Sequence, residues 1–195
     1  MNIAFKAVAV SLFLAFSSQT QAAEKIEASS MTNPAPNEAF SVFQRFELAK
    51  VTMSAPYDGL KANEIAQSSF QLNLDGNIQE WLGEKNTAGA KIDNPRVMLI
   101  EPRIEKVKFV TSNARLWGGA MAGSSRILIK VKFTDKATGT VIAEPEFYQH
   151  AAAFAGAYSA GGADKAMLER IATLVADYVK SNYTAATGGP TGKPK

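Results

Sequence analysis

The stretch from Arg126 to Tyr148 limits what this chain can fold into more than any other. Ile127, Ile129, Val131 and Phe133 alternate with Leu128, Lys130, Lys132 and Thr134. A sustained period of two describes a strand with one buried face. The polar run Asp135-Lys136-Ala137-Thr138-Gly139 follows, and then a second apolar series at Val141, Ala143 and Phe147. Asp and Gly around a short polar run make a hairpin turn, with Gly139 free to take positive φ. Parity puts Lys130 and Lys132 on the same face as Glu144 and Glu146, where the charges can pair across strands.

The rest of the chain supplies layers for that hairpin. Phe40 to Met53 predicts a first strand with Phe46, Leu48 and Val51 as core residues. Val51 is out of step with Leu48, which points to a bulge or an irregular end. Ser54 to Gly59 reads as a loop. Residues 62–83 place Ala66, Phe70, Leu74, Ile78, Trp81 and Leu82 on one helical stripe, with Ile65 and Leu72 off it. A hairpin competes here, because Phe70, Leu72 and Leu74 alternate before Asp75-Gly76. The helix is preferred because its stripe continues past the glycine, which costs about 1 kcal/mol in a helix interior. Arg96 to Val110 is extended, with apolar Val97, Leu99, Ile104, Val107 and Phe109, and Pro102 predicts a bend or an edge position. Residues 151–162 resist assignment. Residues 164–182 form the clearest helix, with Met167, Leu168, Ile171, Ala172, Leu174, Val175, Tyr178 and Val179 on one face. Asp164 near its start and Lys180 near its end complement the helix dipole. The expected fold is α+β: a two-layer sandwich of about four mainly antiparallel strands under two helices.

Both ends read differently. Residues 1–22 have the build of a secretory signal peptide: Lys6, an apolar run from Ala7 to Phe16, then Thr20-Gln21-Ala22 with small residues before the cut. Cleavage is expected after Ala22, and the alternative is a retained anchor. Residues 23–39 and 184–195 are rich in Ser, Asn, Pro, Gly and Ala, and read as a flexible segment and a disordered tail around a single domain at 40–183. Cysteine is absent, which excludes disulfides, thiol catalysis, thiolate metal sites and a lipidated cysteine. These features predict a periplasmic protein with no membrane span after processing.

Ile100-Glu101-Pro102, Gly118-Gly119, Gly123-Ser124, Asp135 with Thr138-Gly139 and an amphipathic terminal helix resemble a group of small bacterial envelope proteins. Many of these are domains of unknown function and many are lipoproteins. The element order is similar to the accessory domains of the TolB amino-terminal region and of CsgG. The resemblance covers Phe40 to Tyr183 and implies no catalytic residue. The chain departs from the lipoproteins in lacking their cysteine.

Chemistry-bearing residues are sparse. His150 is the single histidine; a triad would draw on Ser159 and Asp164, but no nucleophile-elbow pattern surrounds the serine. Glu101 with Glu105, or Glu144 with Glu146, could offer oxygens to a hard cation, yet neither pair forms a calcium loop. Gly118 to Ser125 lacks the Lys-Ser/Thr ending of a phosphate-binding loop. The same connection, with Trp117, Gly118, Gly119 and Arg115, fits a partner-binding lip. Lys106, Lys108, Arg126, Lys130 and Lys132 suggest a basic sheet face, which nearby glutamates would neutralise. Lys and Arg number 21 against 18 Asp and Glu and are interspersed, unlike a nucleic-acid binder. The expected function is a non-enzymatic periplasmic accessory or assembly protein that needs no cofactor, binds an envelope protein and could self-associate by sheet-edge pairing. A small-molecule or lipid binding module comes second and a hydrolase third.

Overall fold

The computed structural model describes residues 25–110, 123–151 and 162–194. The leader at 1–22, the connection holding Trp117, Gly118, Gly119 and Arg115, and Ser159 lie outside the described residues. In chain order come β1 (Thr32–Asn33), a 3-10 turn (Phe40–Val42), β2 (Arg45–Leu48), β3 (Thr52–Met53), α1 (Lys61–Gly89) and β4 (Val97–Lys108). Then follow β5 (Ser125–Asp135), β6 (Val141–Ala143), β7 (Glu146–Ala151), α2 (Gly162–Ser181) and β8 (Gly189–Pro190).

Six strands form one sheet in the order β2–β4–β5–β6, with β3 also on β4 and β7 also on β5. The expected α+β sandwich is therefore present, with β3 extending the row of β2 and β7 that of β6. The sheet is mixed: β2 and β3 run parallel to β4, and the remaining pairs are antiparallel. Both helices pack on each other and share one core with the sheet.

Two local expectations are corrected, at Pro102 and at Val141, and the face of β4 is defined. Pro102 lies in an interior strand, not at a bend or an edge. It falls where β2 has ended at Ile100's partner and β3 has yet to begin at Arg103's partner. A missing N–H is tolerated where the neighbouring strand is itself interrupted. The inward series on β4 is Met98, Ile100, Pro102, Ile104 and Val107, while Val97 and Leu99 are only half-buried. A register shift between Ile104 and Lys106 switches the parity. On β6 the buried residue is Ile142, and Val141 is 40% exposed. The register slips here too, so that Val141 pairs with Thr134 and Ala143 with Phe133, leaving Ile142 to turn inward.

Residues 62–83 are helical, inside a longer α1. Ala66, Phe70, Leu74, Ile78 and Leu82 form its buried stripe. Each large apolar side chain so buried is worth roughly 1.5–3 kcal/mol. Asp75 accepts hydrogen bonds from Gln71 Nε2 at 3.0 Å and Gln79 Nε2 at 3.3 Å, one turn away on either side. The Asp-Gly pair thus serves the helix instead of breaking it. The irregularity expected near Val51 is present as a break between β2 and β3, and α1 satisfies it: Val51 N–H donates to Gln71 Oε1 at 2.7 Å, and its carbonyl accepts from Gln67 Nε2 at 2.6 Å. Asn86 does the same for the edge strand, donating to Phe46 O at 2.9 Å and accepting from Phe46 N at 2.7 Å.

The flanking segments are packed, where composition suggests loose tails. β1 pairs with β8, and Ile26 and Ala28 bury against Leu128 and Tyr148 on the sheet face away from the helices. Asn33 clasps Glu146, donating to its carbonyl and accepting from its N–H, each at 2.8 Å. Tyr148 N–H donates to Thr191 O at 2.7 Å. Asn182, wholly buried, holds the turn into β8: its Nδ2 donates to Tyr178 O and Gly188 O, and its Oδ1 accepts from the N–H groups of Thr187 and Gly188. These contacts are long-range pairings of polar groups, which composition does not encode.

Asn182→Ala leaves those backbone groups without their partners in a dry site. The variant is expected to lose about 2–3 kcal/mol, read as a lower urea midpoint at unchanged slope. An unaltered midpoint would show that the buried amide does not hold the turn.

Candidate functional site

Three surfaces carry the chemistry among the described residues. The first is the middle of the outer sheet face. Cross-strand register places Lys130 opposite Glu146 and Lys132 opposite Glu101. Lys130 Nζ lies 3.4 Å from Glu146, while Lys132 makes no ion pair with Glu144; both line a shallow hollow of about 320 Å³ with Thr52, Glu101 and Arg103. Arg103 pairs with Glu105, whose carboxylate also accepts from Ser54 Oγ at 3.0 Å. Burial pushes the Glu146 carboxyl up, but hydrogen bonds from Ser29 and Lys130 outweigh it and hold the group low. The cross-strand pairing that parity predicts is thus made by Lys130 with Glu146 and not by Lys132 with Glu144. One glutamate of each pair is engaged with a cation, Glu105 with Arg103 and Glu146 with Lys130, and among the described residues no cluster of three or more His, Asp or Glu side chains is placed to hold a metal.

A tighter knot closes the turn end. Arg96 bridges Glu38 at 2.7 Å and Asp135 at 2.8 Å, with its guanidinium 4.3 Å from the centre of the Phe43 ring. Asp135 also accepts from Ala137 N–H at 3.0 Å, an Asx turn that sets up the hairpin. Arg96 chiefly, then the Ala137 and Thr138 N–H groups, hold the Asp135 carboxyl below the usual range against burial; Glu38 and Asp135 raise Arg96 further.

The second surface is the opposite end of the outer face, around His150. The imidazole stacks on Tyr148 at 6.0 Å and 24°. Arg126 stands directly across the strand from it. A hollow of about 340 Å³ is lined there by Glu27, Ser124, Arg126, Tyr148, His150 and Lys193. Burial raises the Tyr148 phenol, with Arg126 lowering it and Glu27 raising it. The structure does not bring Asp164 to His150; Asp164 lies in the first turn of α2, in the other layer. Lys193 and the N-terminal segment were hidden from sequence reasoning, because they sit in stretches that read as tails.

The third surface is the solvent side of α1. Leu72 is 72% exposed and Ile65 59%, two turns apart on one face. Gly76 and Gly83 continue that side, and a Cβ added to either would meet nothing within 4 Å. Beside it lies an open groove of about 490 Å³ lined by Lys50, Val51, Glu64, Gln67, Gln71 and Leu72.

The sheet edges themselves are occupied. Asn86 and Gln71 answer the β2 edge, and Asn33, Asn37 and Thr191 answer the β6–β7 edge. Strand addition by a second copy would have to displace them. No helix among the described residues is long and apolar enough to cross a membrane.

No protein-family model matches the chain. No curated protein matches it either. Among solved structures, it is similar to the PelC dodecamer from Paraburkholderia phytofirmans, at 10% identity and a TM-score of 0.40 over 73% of this chain and 92% of that one. A hypothetical protein from Chlamydia trachomatis gives 11% identity and 0.40 over 72% and 99%. A protein from Xanthomonas campestris, of family-model DUF330, gives 11% and 0.37 over 74% and 87%. A likeness to TolB or CsgG stays an expectation from the sequence.

The Arg96 knot has a pH signature. A carboxyl depressed on folding stabilises the native state above its ordinary value near pH 4 and loses that contribution as pH falls through its lowered value. Asp135→Asn is therefore expected to be less stable than the native chain at pH 7, with the gap closing as pH falls below the ordinary carboxyl range in parallel denaturation curves. A gap independent of pH would sever the link between the knot and stability.

Proposed function

We propose that this chain is an exported, non-enzymatic accessory protein of the bacterial envelope that binds another protein through the outward side of α1. The observation that carries the reading is the pairing of exposed Leu72 and Ile65 with two open glycines on one long helix. A glycine inside a helix costs about 1 kcal/mol relative to Ala. At Gly76 and Gly83 no contact among the described residues requires the missing side chain. A partner backbone approaching closely would, with the flanking apolar side chains as anchors and Glu64, Gln67 and Lys50 as a polar rim.

Two features favour a helix face over the other modes. The occupied edges leave strand addition at a disadvantage. The space between helices and sheet, where a ligand module would open its pocket, is filled by Phe40, Phe70, Phe133 and Phe147, each 0% exposed. The non-enzymatic part of the reading draws on His150, which stacks on Tyr148 and faces Arg126 across the strand, while Glu27, the acid of the same hollow, is paired with Lys25 and Lys193. Trp117, Gly118, Gly119 and Arg115 remain a second candidate lip.

A photo-crosslinking residue at position 72, introduced in the full chain in cells, is expected to yield one discrete adduct. The same probe at position 132 on the outer sheet face should yield none. Leu72→Asp should abolish capture from position 65 without lowering the melting temperature. Gly76→Ala should raise stability by about 0.5–1 kcal/mol while weakening capture. Equal adducts from both faces, or none, would contradict the proposal; a homodimer adduct would make the partner a second copy.

A further inference from the structure

We infer that the hollow at the His150 end of the outer sheet face binds a phosphate ester group. The argument begins with register. Lys108 on β4 lies directly opposite Arg126 on β5, and Arg126 lies directly opposite His150 on β7. Residues so placed have Cβ atoms only about 4.5–5.5 Å apart, and like charges there destabilise a sheet. The register shift after Ile104 is what turns Lys108 to this face, since Val107 enters the core. In the middle of the same face Arg103 also stands opposite Lys130, but there Glu105 and Glu146 pair with them, whereas at this end no carboxylate pairs with Lys108 or Arg126 among the described residues.

Neutralisation by the described residues is scant. Glu27 is the one carboxylate lining the hollow, and it is already engaged by Lys25 at 2.7 Å and Lys193 at 3.2 Å, which lower it. Lys108 and Arg126 make no ion pair among the described residues. The segments 111–122 and 152–161, which adjoin these strands, contain no Asp or Glu at all. Among the described residues Lys108 and Arg126 therefore stand without an ion-pair partner next to a hollow of about 340 Å³, to which Ser124 and Tyr148 add hydroxyls.

The donor set selects the ligand class. Arg126, Lys193, His150, Ser124 and Tyr148, from separate segments, line one hollow with a guanidinium fork, an ammonium, an imidazole and hydroxyls. A phosphate monoester carries up to two charges and several acceptor oxygens, enough to use such donors together. A flat carboxylate offers fewer. The same group could arrive on a soluble ester or on a lipid headgroup.

The test uses the full processed chain in low-salt buffer. Glycerol phosphate is titrated while backbone amide resonances are followed, and vesicles of phosphatidylcholine with or without phosphatidic acid are tested by co-sedimentation. Saturable shifts at Arg126, Tyr148 and His150 are expected, weakening as salt is raised. Arg126→Gln should reduce the binding constant about tenfold or more. It should not lower the melting temperature of the ligand-free protein, because a like-charge contact is relieved; Lys108→Gln serves as the second variant. Binding of glycerol phosphate identifies a soluble source. Binding confined to phosphatidic acid vesicles and lost in Arg126→Gln identifies a lipid source. Absence of both, or binding equal in native and variant chains, overturns the inference.

Discussion

An open sheet presents two rows of backbone N–H and C=O groups to whatever lies beside it, and in this protein side-chain amides answer them. Asn86 clasps Phe46 on one edge, and Asn33 clasps Glu146 on the other, each by a donated and an accepted bond. Gln67 and Gln71 do the same for Val51, where the first row is broken. An unanswered buried backbone group costs as much as a lost hydrogen bond, and an unanswered exposed row invites pairing with other chains. The amides remove both liabilities. They also tie elements that contact order would otherwise leave apart: the N-terminal segment to β7, and the sheet edge to α1.

That closure shapes what the surface can do. With the edges occupied, recognition falls to faces. The outer sheet face divides into a neutral middle and a cationic end, and the division follows from one extra residue in β4. Before the shift, Glu101 and Arg103 face outward; after it, Lys106 and Lys108 do. α1 has a corresponding asymmetry. Its inward stripe from Ala66 to Leu82 anchors the core, while its outward side keeps Ile65, Leu72 and two glycines that intramolecular packing does not use.

Much of this architecture could be read in the residues. The strand at 127–133 follows strict alternation because one face meets the helices, and α2 shows its wide stripe because it lies on that same core. The α1 stripe was legible through Ile78 and Leu82 despite Asp75-Gly76. What escaped has a common cause. Ile142 in place of Val141 is an error of parity introduced by a local register shift that no period reveals. The packing of 25–39 and 184–194 escaped because short polar residues such as Asn33, Asn182 and Thr191 act there through partners far away in sequence. The hollow at His150 was invisible for that reason as well: two of its walls come from those segments. The connection with Trp117 lies outside the described residues.

The most direct test of the edge-closure account is native-state amide hydrogen exchange on the isolated chain. Phe46 and Val51 donate to side chains of α1, and Glu146 donates to Asn33. If amides close the edges, these three N–H groups exchange slowly, and Asn86→Ala speeds Phe46 while leaving Glu146 protected. Fast exchange at all three in the native chain would mean the edges are open, and the assignment of recognition to faces would fall with it.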